Sequence, residues 1–229
     1  MKIGGLQKVS LIDYPCAICA VVFTQGCNFK CGYCHNPELV DPERFGQCID
    51  EKYFMEFLST RVGKLDAVSI TGGEPTIQKD LIGFIKKIKK MGFAVKIDTN
   101  GSQPQVLKDL LKNKLLDFIA IDIKAPLAKY KGITRAFVDT ELIRESIGAI
   151  LKAKIPQEFR TTLVRSQLNA DDIREIARMI NGAKRYVLQK FMPTKTLDKK
   201  FISENTWPDK DLQAIKKDLE KKITSVIVR

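Results

Sequence analysis

Along the chain, short runs of β-branched and other apolar residues alternate with longer stretches whose apolar positions recur every three or four residues. The short runs occupy positions 18–24, 67–71, 94–99, 118–123, 159–164, 186–191 and 224–228. Each has the length of a strand buried on both faces. The longer amphipathic stretches lie near 51–62, 79–91, 103–114, 138–153, 170–181 and 209–222, and their period predicts helices. Strands that alternate with helices of this length pair in parallel through right-handed crossovers, with the helices packed over the sheet. Such an α/β chain can form an open doubly wound sheet or an incomplete (β/α)6 barrel with parallel strands. The barrel is preferred, because the chemically distinctive residues gather at strand C-termini, where barrel loops build active sites. A cysteine group follows the first run, Gly72 to Pro75 follow the second, Thr99 to Gly101 the third, and Lys124 closes the fourth. No linker, repeat or low-complexity segment interrupts the pattern, so residues 1–229 are expected to form a single domain. Residues 193–209, with two prolines and the lone Trp207, read as a long loop able to fold over one side.

Composition narrows the class. Apolar residues make up 44% and charged residues 29% of 229, a balance that supports a packed core and excludes disordered and collagen-like chains. The longest apolar run, 17–23, is far short of the roughly 20 residues that span a bilayer. The first fifteen residues contain no apolar signal core, so a cytoplasmic protein is expected. Thiols stay reduced there, which makes the six cysteines candidates for metal binding or catalysis rather than a disulfide framework. Lys and Arg exceed Asp and Glu by 39 to 27, a net charge of +12. Much of the excess sits in helical stretches, such as Lys86, Lys87, Lys89 and Lys90 or Lys216, Lys217, Lys221 and Lys222, where long side chains cover a solvated face. The same charge could draw an acidic partner. Nucleic acid is not among the expected partners, because aromatics are not interleaved with these lysines.

The sharpest chemical feature is Gly26-Cys27-Asn28-Phe29-Lys30-Cys31-Gly32-Tyr33-Cys34-His35. Three cysteines spaced by three and two residues in a glycine-containing loop can turn their thiolates toward one centre. A fully ligated cubane iron–sulfur cluster takes four cysteines. Three local thiolates leave one iron open to an outside ligand, as three protein ligands leave a catalytic zinc with a free position. An all-cysteine zinc site formed by the pairs Cys16/Cys19 and Cys31/Cys34 is the competing reading. Against it, extended backbone sends side chains three apart to opposite faces, so Cys16 and Cys19, together with Cys48, read better as non-ligand thiols. His35, the only histidine, is left out of the metal set.

The CxxxCxYC motif, with Gly72-Gly73-Glu74-Pro75 after the next strand, resembles the radical S-adenosylmethionine superfamily over about residues 3–192. Ser10-Leu11-Ile12-Asp13-Tyr14-Pro15, Phe23-Thr24-Gln25-Gly26-Cys27 and Cys34-His35-Asn36-Pro37 narrow the resemblance to activating enzymes of glycyl-radical enzymes. Within these it is most similar to the activating proteins of anaerobic ribonucleoside-triphosphate reductase, with pyruvate formate-lyase activating enzymes as relatives. The resemblance implies an oxidoreductase in which Cys27, Cys31 and Cys34 hold a 4Fe-4S cluster whose fourth iron binds S-adenosylmethionine. Reductive cleavage would give a 5′-deoxyadenosyl radical that installs a glycyl radical on a larger partner enzyme. It further implies that Tyr33 packs on the adenine and that Gly72, Gly73 and Glu74 approach the methionine amino group. Asp98, Thr99, Asn100 and Asp122 would lie near the ribose and carboxylate, with Asp98 and Asp122 able to hold a monovalent cation. Lys124, the one catalytic candidate, would meet the carboxylate or sulfonium end. Gln189 stands where some activating enzymes carry a cofactor-contacting histidine. The electron would come from a flavodoxin or ferredoxin. The alternative is a radical enzyme acting directly on a small molecule or nucleobase, similar to 7-carboxy-7-deazaguanine synthase.

Overall fold

The computed structural model describes residues 1–229. Eight strands build one sheet in chain order: β1 (Ile3–Ser10), β2 (Cys19–Thr24), β3 (Ala67–Gly72), β4 (Ala94–Thr99), β5 (Phe118–Asp122), β6 (Gln157–Leu163), β7 (Arg185–Lys190) and β8 (Ser225–Val228). From β2 to β8 every neighbouring pair is parallel. The helices are α1 (Pro37–Val40), α2 (Glu51–Ser59), α3 (Leu81–Lys90), α4 (Pro104–Lys112), α5 (Tyr130–Thr134), α6 (Thr140–Leu151), α7 (Ala170–Met179) and α8 (Asp209–Leu219). Strands β2 to β7 with the long helices that follow them make six βα units. No strand pairing joins β8 to β1, so the barrel is incomplete and open along that side.

One departure from the expected strand set has a physical cause. β1 carries Gly4 and Gly5 and a polar Gln7-Lys8 pair, a composition with little strand preference. Its partner supplies the order instead: β1 lies antiparallel along β2, where a Cβ on Gly4 would stand 2.6 Å from the Leu39 side chain. At the other edge β8, the strand expected at 224–228, extends the parallel set beyond the six of the expected barrel.

Side chains on the outer face of the sheet and the inner faces of the helices form a core of 50 buried residues. Phe54 of α2 stacks on Phe84 of α3 at 5.4 Å. Helix α7 begins with a reciprocal cap, in which the Asn169 side chain accepts from Asp172 N–H and the Asp172 side chain accepts from Asn169 N–H. That arrangement satisfies two otherwise orphaned donors. The inner face of the barrel is different. Lys96 and Asp98 of β4, Asp122 of β5 and Glu158 and Arg160 of β6 bring charge into the lumen, and Lys96 is only 4% exposed. No helix is long and apolar enough to cross a membrane.

Candidate active site

Backbone contacts between consecutive βα loops assemble the site. After β2 the chain turns at Gly26, φ +103°, and enters the cysteine loop; after β3 it turns at Gly72, φ +109°. The Gly73 N–H donates to Thr24 O and the Glu74 N–H to Gly26 O, both at 2.8 Å, while Gly26 N–H donates to Leu39 O at 2.8 Å. This seam leaves no room for side chains. A Cβ on Gly73 would lie 2.0 Å from Gly26 O, and one on Gly72 2.4 Å from Thr24 N. Gly73→Ala is therefore expected to destabilise the metal-free protein by about 1–3 kcal/mol through overpacking. Gly83→Ala, in α3 with open space around the position, is the control and should be neutral or stabilising. Urea denaturation of the two variants checks the difference.

Glu74 is 1% exposed and fully engaged inside the protein. Its Oε1 accepts from Thr76 N–H at 3.1 Å and from the Thr76 and Thr99 hydroxyls, the latter at 2.7 Å, and its Oε2 accepts from Asn100 N–H at 2.6 Å. The carboxylate thus clamps the β3 loop to the end of β4. Burial raises its pKa against these hydrogen bonds. Asn28 of the cysteine loop joins the same seam, donating to Ser102 Oγ at 2.8 Å and accepting from the Asn100 side chain at 2.9 Å.

A cavity of about 270 Å³ opens over these loops. Cys27, Cys31, Tyr33, Cys34, Gly72, Gly73, Glu74, Asp98, Thr99, Asn100, Asp122, Lys124 and Gln189, the whole set singled out from the sequence, line its wall. Cys31 is 6% exposed, and all three thiols are free. Burial pushes the Cys27 thiol up to about 12 and raises those of Cys31 and Cys34. No three His, Cys, Asp or Glu side chains sit close enough together to bind one metal ion. A multi-iron cluster, which spreads its ligands over several metals, suits three thiols on one open loop better than a single zinc does. The Tyr33 hydroxyl is buried in the same wall beside the Cys31 thiol, with no other polar group to pair with. Its ring meets Phe191 and Phe201 edge-on, each with centroids 6.3 Å apart.

The lumen residues below the cavity form an alternating chain of charges. Arg160 donates from Nε to Asp122 Oδ1 at 2.8 Å and from Nη1 to Asp98 Oδ2 at 3.1 Å. Lys96 pairs with the other oxygen of Asp98, and Lys124 with Asp122 Oδ2 at 3.3 Å. The two carboxylates expected to hold a monovalent cation thus have a guanidinium between them, a departure that the sequence did not reveal. Burial alone would raise both, yet Arg160 beside them holds Asp98 and Asp122 below the usual carboxylate range. Burial works against charge on Lys124 too, but Asp122 keeps it protonated. Within this chain three cations face two anions, and Glu158, the remaining lumen carboxylate, is paired with Arg229 and Arg185. Arg160 and Thr162, also in the cavity wall, were missed because they read as polar positions of an ordinary strand. The available signal was spacing: Lys96/Asp98, Asp122/Lys124 and Glu158/Arg160 are charged pairs two residues apart, which in a strand share one face.

The remaining candidates lie apart from one another. Cys16 is exposed with φ +61° before β2, and Cys19 starts β2, at the end opposite the cavity. Cys48 donates to Gln25 Oε1 at 3.3 Å. The two CxxC pairs therefore do not converge. His35 contacts Met192 O at 2.8 Å and stacks on Phe191.

Comparison with known proteins gives the class. The family model of the radical SAM superfamily matches residues 21–180, and the chain belongs to that superfamily. It is accordingly an enzyme of a kind that uses a 4Fe-4S cluster and S-adenosylmethionine. Among its relatives, a Methanocaldococcus jannaschii protein named as a glycyl-radical enzyme activating enzyme is 37% identical over 99% of this chain and 95% of its own. The pyruvate formate-lyase-activating enzyme of Clostridium pasteurianum is 30% identical over 97% of this chain and 94% of its own. SuiB of Streptococcus suis, solved bound to S-adenosylmethionine, superposes with a TM-score of 0.67 at 15% identity, over 91% of this chain and 51% of that one. That likeness is one of fold.

Proposed function

We propose that this chain is an activating enzyme that installs a glycyl radical on a larger partner enzyme. The observation that carries the reading is its end-to-end similarity to two proteins so named. The open side of the barrel supports it. There a second cavity, reached past Ile12, Asp13 and Arg229, shares Asp98, Arg160 and Gln189 with the first. A polypeptide loop could approach the radical site through that side.

In this reading Cys27, Cys31 and Cys34 would hold the cluster. When bound, the cluster and S-adenosylmethionine together supply reductive carbon–sulfur cleavage and a carbon radical able to take a hydrogen atom. Backbone at Gly72 and Gly73, held in the cavity wall by the seam with Gly26, would meet the methionine end. Lys124 and Arg160 would offer fixed positive charge to its carboxylate, and the Tyr33 ring would bound the adenosine. Glu74 acts as a positioning residue that holds Thr99 and Asn100 in the wall. The finer reading makes an anaerobic ribonucleoside-triphosphate reductase the target, on the strength of the sub-family resemblance alone.

The test is anaerobic incubation of the reconstituted enzyme with S-adenosylmethionine, a reductant and that reductase. A glycine-centred doublet in electron paramagnetic resonance, with about one 5′-deoxyadenosine formed per radical, is the expected result. Formation of 5′-deoxyadenosine coupled to a modified small molecule or nucleobase, with no protein radical, overturns the reading.

A further inference from the structure

The cysteine loop has an inner wall on the cavity and an outer wall built by two other segments. Lys30 N–H donates to Thr134 O at 2.8 Å, seating the loop on the end of α5. The segment after β7 then crosses over the loop: Leu197 N–H donates to Cys34 O and Asp198 N–H to Gly32 O, both at 2.9 Å. Phe201, in a 3-10 turn over Lys199–Ser203, packs so closely on Gly32 that a Cβ there would stand 2.4 Å from its ring. Arg135 lies over the Phe201 ring and pairs with Asp198 at 2.8 Å.

Charge on this outer wall is mainly positive, since its Asp198 is taken up by Arg135. Lys30, Lys131, Lys199 and Lys200 are exposed and in no ion pair, as are Lys86, Lys90, Lys217 and Lys222 on or just after α3 and α8; what sets the four apart is their place on the cysteine loop and the two segments seated against it. Beside them Phe137 is 92% and Ile202 47% exposed. Unpaired cations around a few exposed apolar side chains make a surface suited to a protein of opposite charge. None of these residues lines either cavity.

The chemistry requires one electron for each cleavage. Within this chain Cys16, Cys19 and Cys48 stand apart, and no further cluster of metal-ligating side chains exists to store it. We infer that the outer wall of the cysteine loop, marked by Lys30, Lys131, Lys199 and Lys200, is the docking surface for a small acidic one-electron carrier protein. One electron passes across the loop, oxidising the carrier and reducing the cluster, and no atoms move. The inference rests on Cys27, Cys31 and Cys34 being the cluster ligands, and it leaves the lateral opening free for the target polypeptide.

The test compares the reconstituted wild-type enzyme with a Lys131→Glu, Lys199→Glu, Lys200→Glu triple variant, using dithionite, a reduced flavodoxin and a reduced ferredoxin in turn. The readouts are stopped-flow bleaching of the cluster and 5′-deoxyadenosine formation. With dithionite the variant should match wild type. With at least one protein carrier its second-order rate should fall about tenfold or more, and the salt dependence seen in wild type should flatten. The corresponding triple Arg variant should keep the wild-type rate. Equal carrier rates in wild type and the Glu variant at low salt overturn the proposal. Absence of dithionite-driven cleavage in wild type would overturn the ligand assignment beneath it, independently of whether any glycyl radical forms.

Discussion

Replacing Arg160 with Met is expected to destabilise the metal-free protein by about 3 kcal/mol or more, because it strips a shared cation from two enclosed carboxylates. Asp122 and Arg160 face each other across β5 and β6, and their side chains are 25% and 11% exposed. Water from the cavity therefore softens the loss without abolishing it. Lys96 and Lys124 remain, one on each carboxylate, but neither spans both. Arg160→Lys should fall between wild type and Met, since a single ammonium cannot reproduce the two-sided fork. The pH dependence gives an independent check. Asp98 and Asp122 are held low in the folded chain, so their contribution is complete above the ordinary carboxylate range and fades as pH falls through their depressed folded values. In Arg160→Met their pKa values rise, so the gap between variant and wild type should be widest near neutrality and narrow in acid. Denaturant titrations at neutral and mildly acidic pH measure it. A deficit below about 0.5 kcal/mol, or one that does not change with pH, would mean that the ion chain is incidental to stability.

The same chain of charges marks where sequence reading stops. The βα alternation was legible because each unit announces itself locally: a β-branched run such as Val68-Ser69-Ile70, then an amphipathic stretch such as α3 with Leu81, Phe84, Ile85 and Ile88 buried. The cysteine loop and the Gly-Gly-Glu-Pro turn were legible for a different reason, since their residue types have few other uses at that spacing. What stayed hidden depends on partners far away in sequence. Arg160 acquires its meaning from Asp122 and Asp98, 38 and 62 positions earlier. β1 is ordered by β2 rather than by its own composition. Glu74 could be placed near the site but not assigned to a clamp, because the donors that fill it belong to Thr99 and Asn100, on a strand end whose position only the folded barrel determines. The loop after β7 showed length and prolines, yet its seat on Gly32 depends on the absence of a side chain in another segment.

Replacing Cys31 with Ala is expected to lower iron from about four per chain to a small fraction after anaerobic reconstitution, and to take S-adenosylmethionine cleavage below detection. The substitution removes one sulfur from a buried position and leaves Cys27 and Cys34, two local thiolates that cannot hold a cluster needing three from this loop. Stability of the metal-free variant should stay within about 1–2 kcal/mol of wild type, because no hydrogen bond of the protein backbone depends on that sulfur. Lost ligation is thereby separated from lost folding. Cys48→Ala supplies the contrast: its thiol is exposed and serves only the Gln25 side chain, so iron content and cleavage should match wild type. The pair of variants discriminates sharply between a centre built on the loop after β2 and one that recruits the scattered thiols. If Cys31→Ala kept its iron and its turnover, or Cys48→Ala lost both, the three-thiol centre would be wrong, and with it every role assigned to the residues around the cavity.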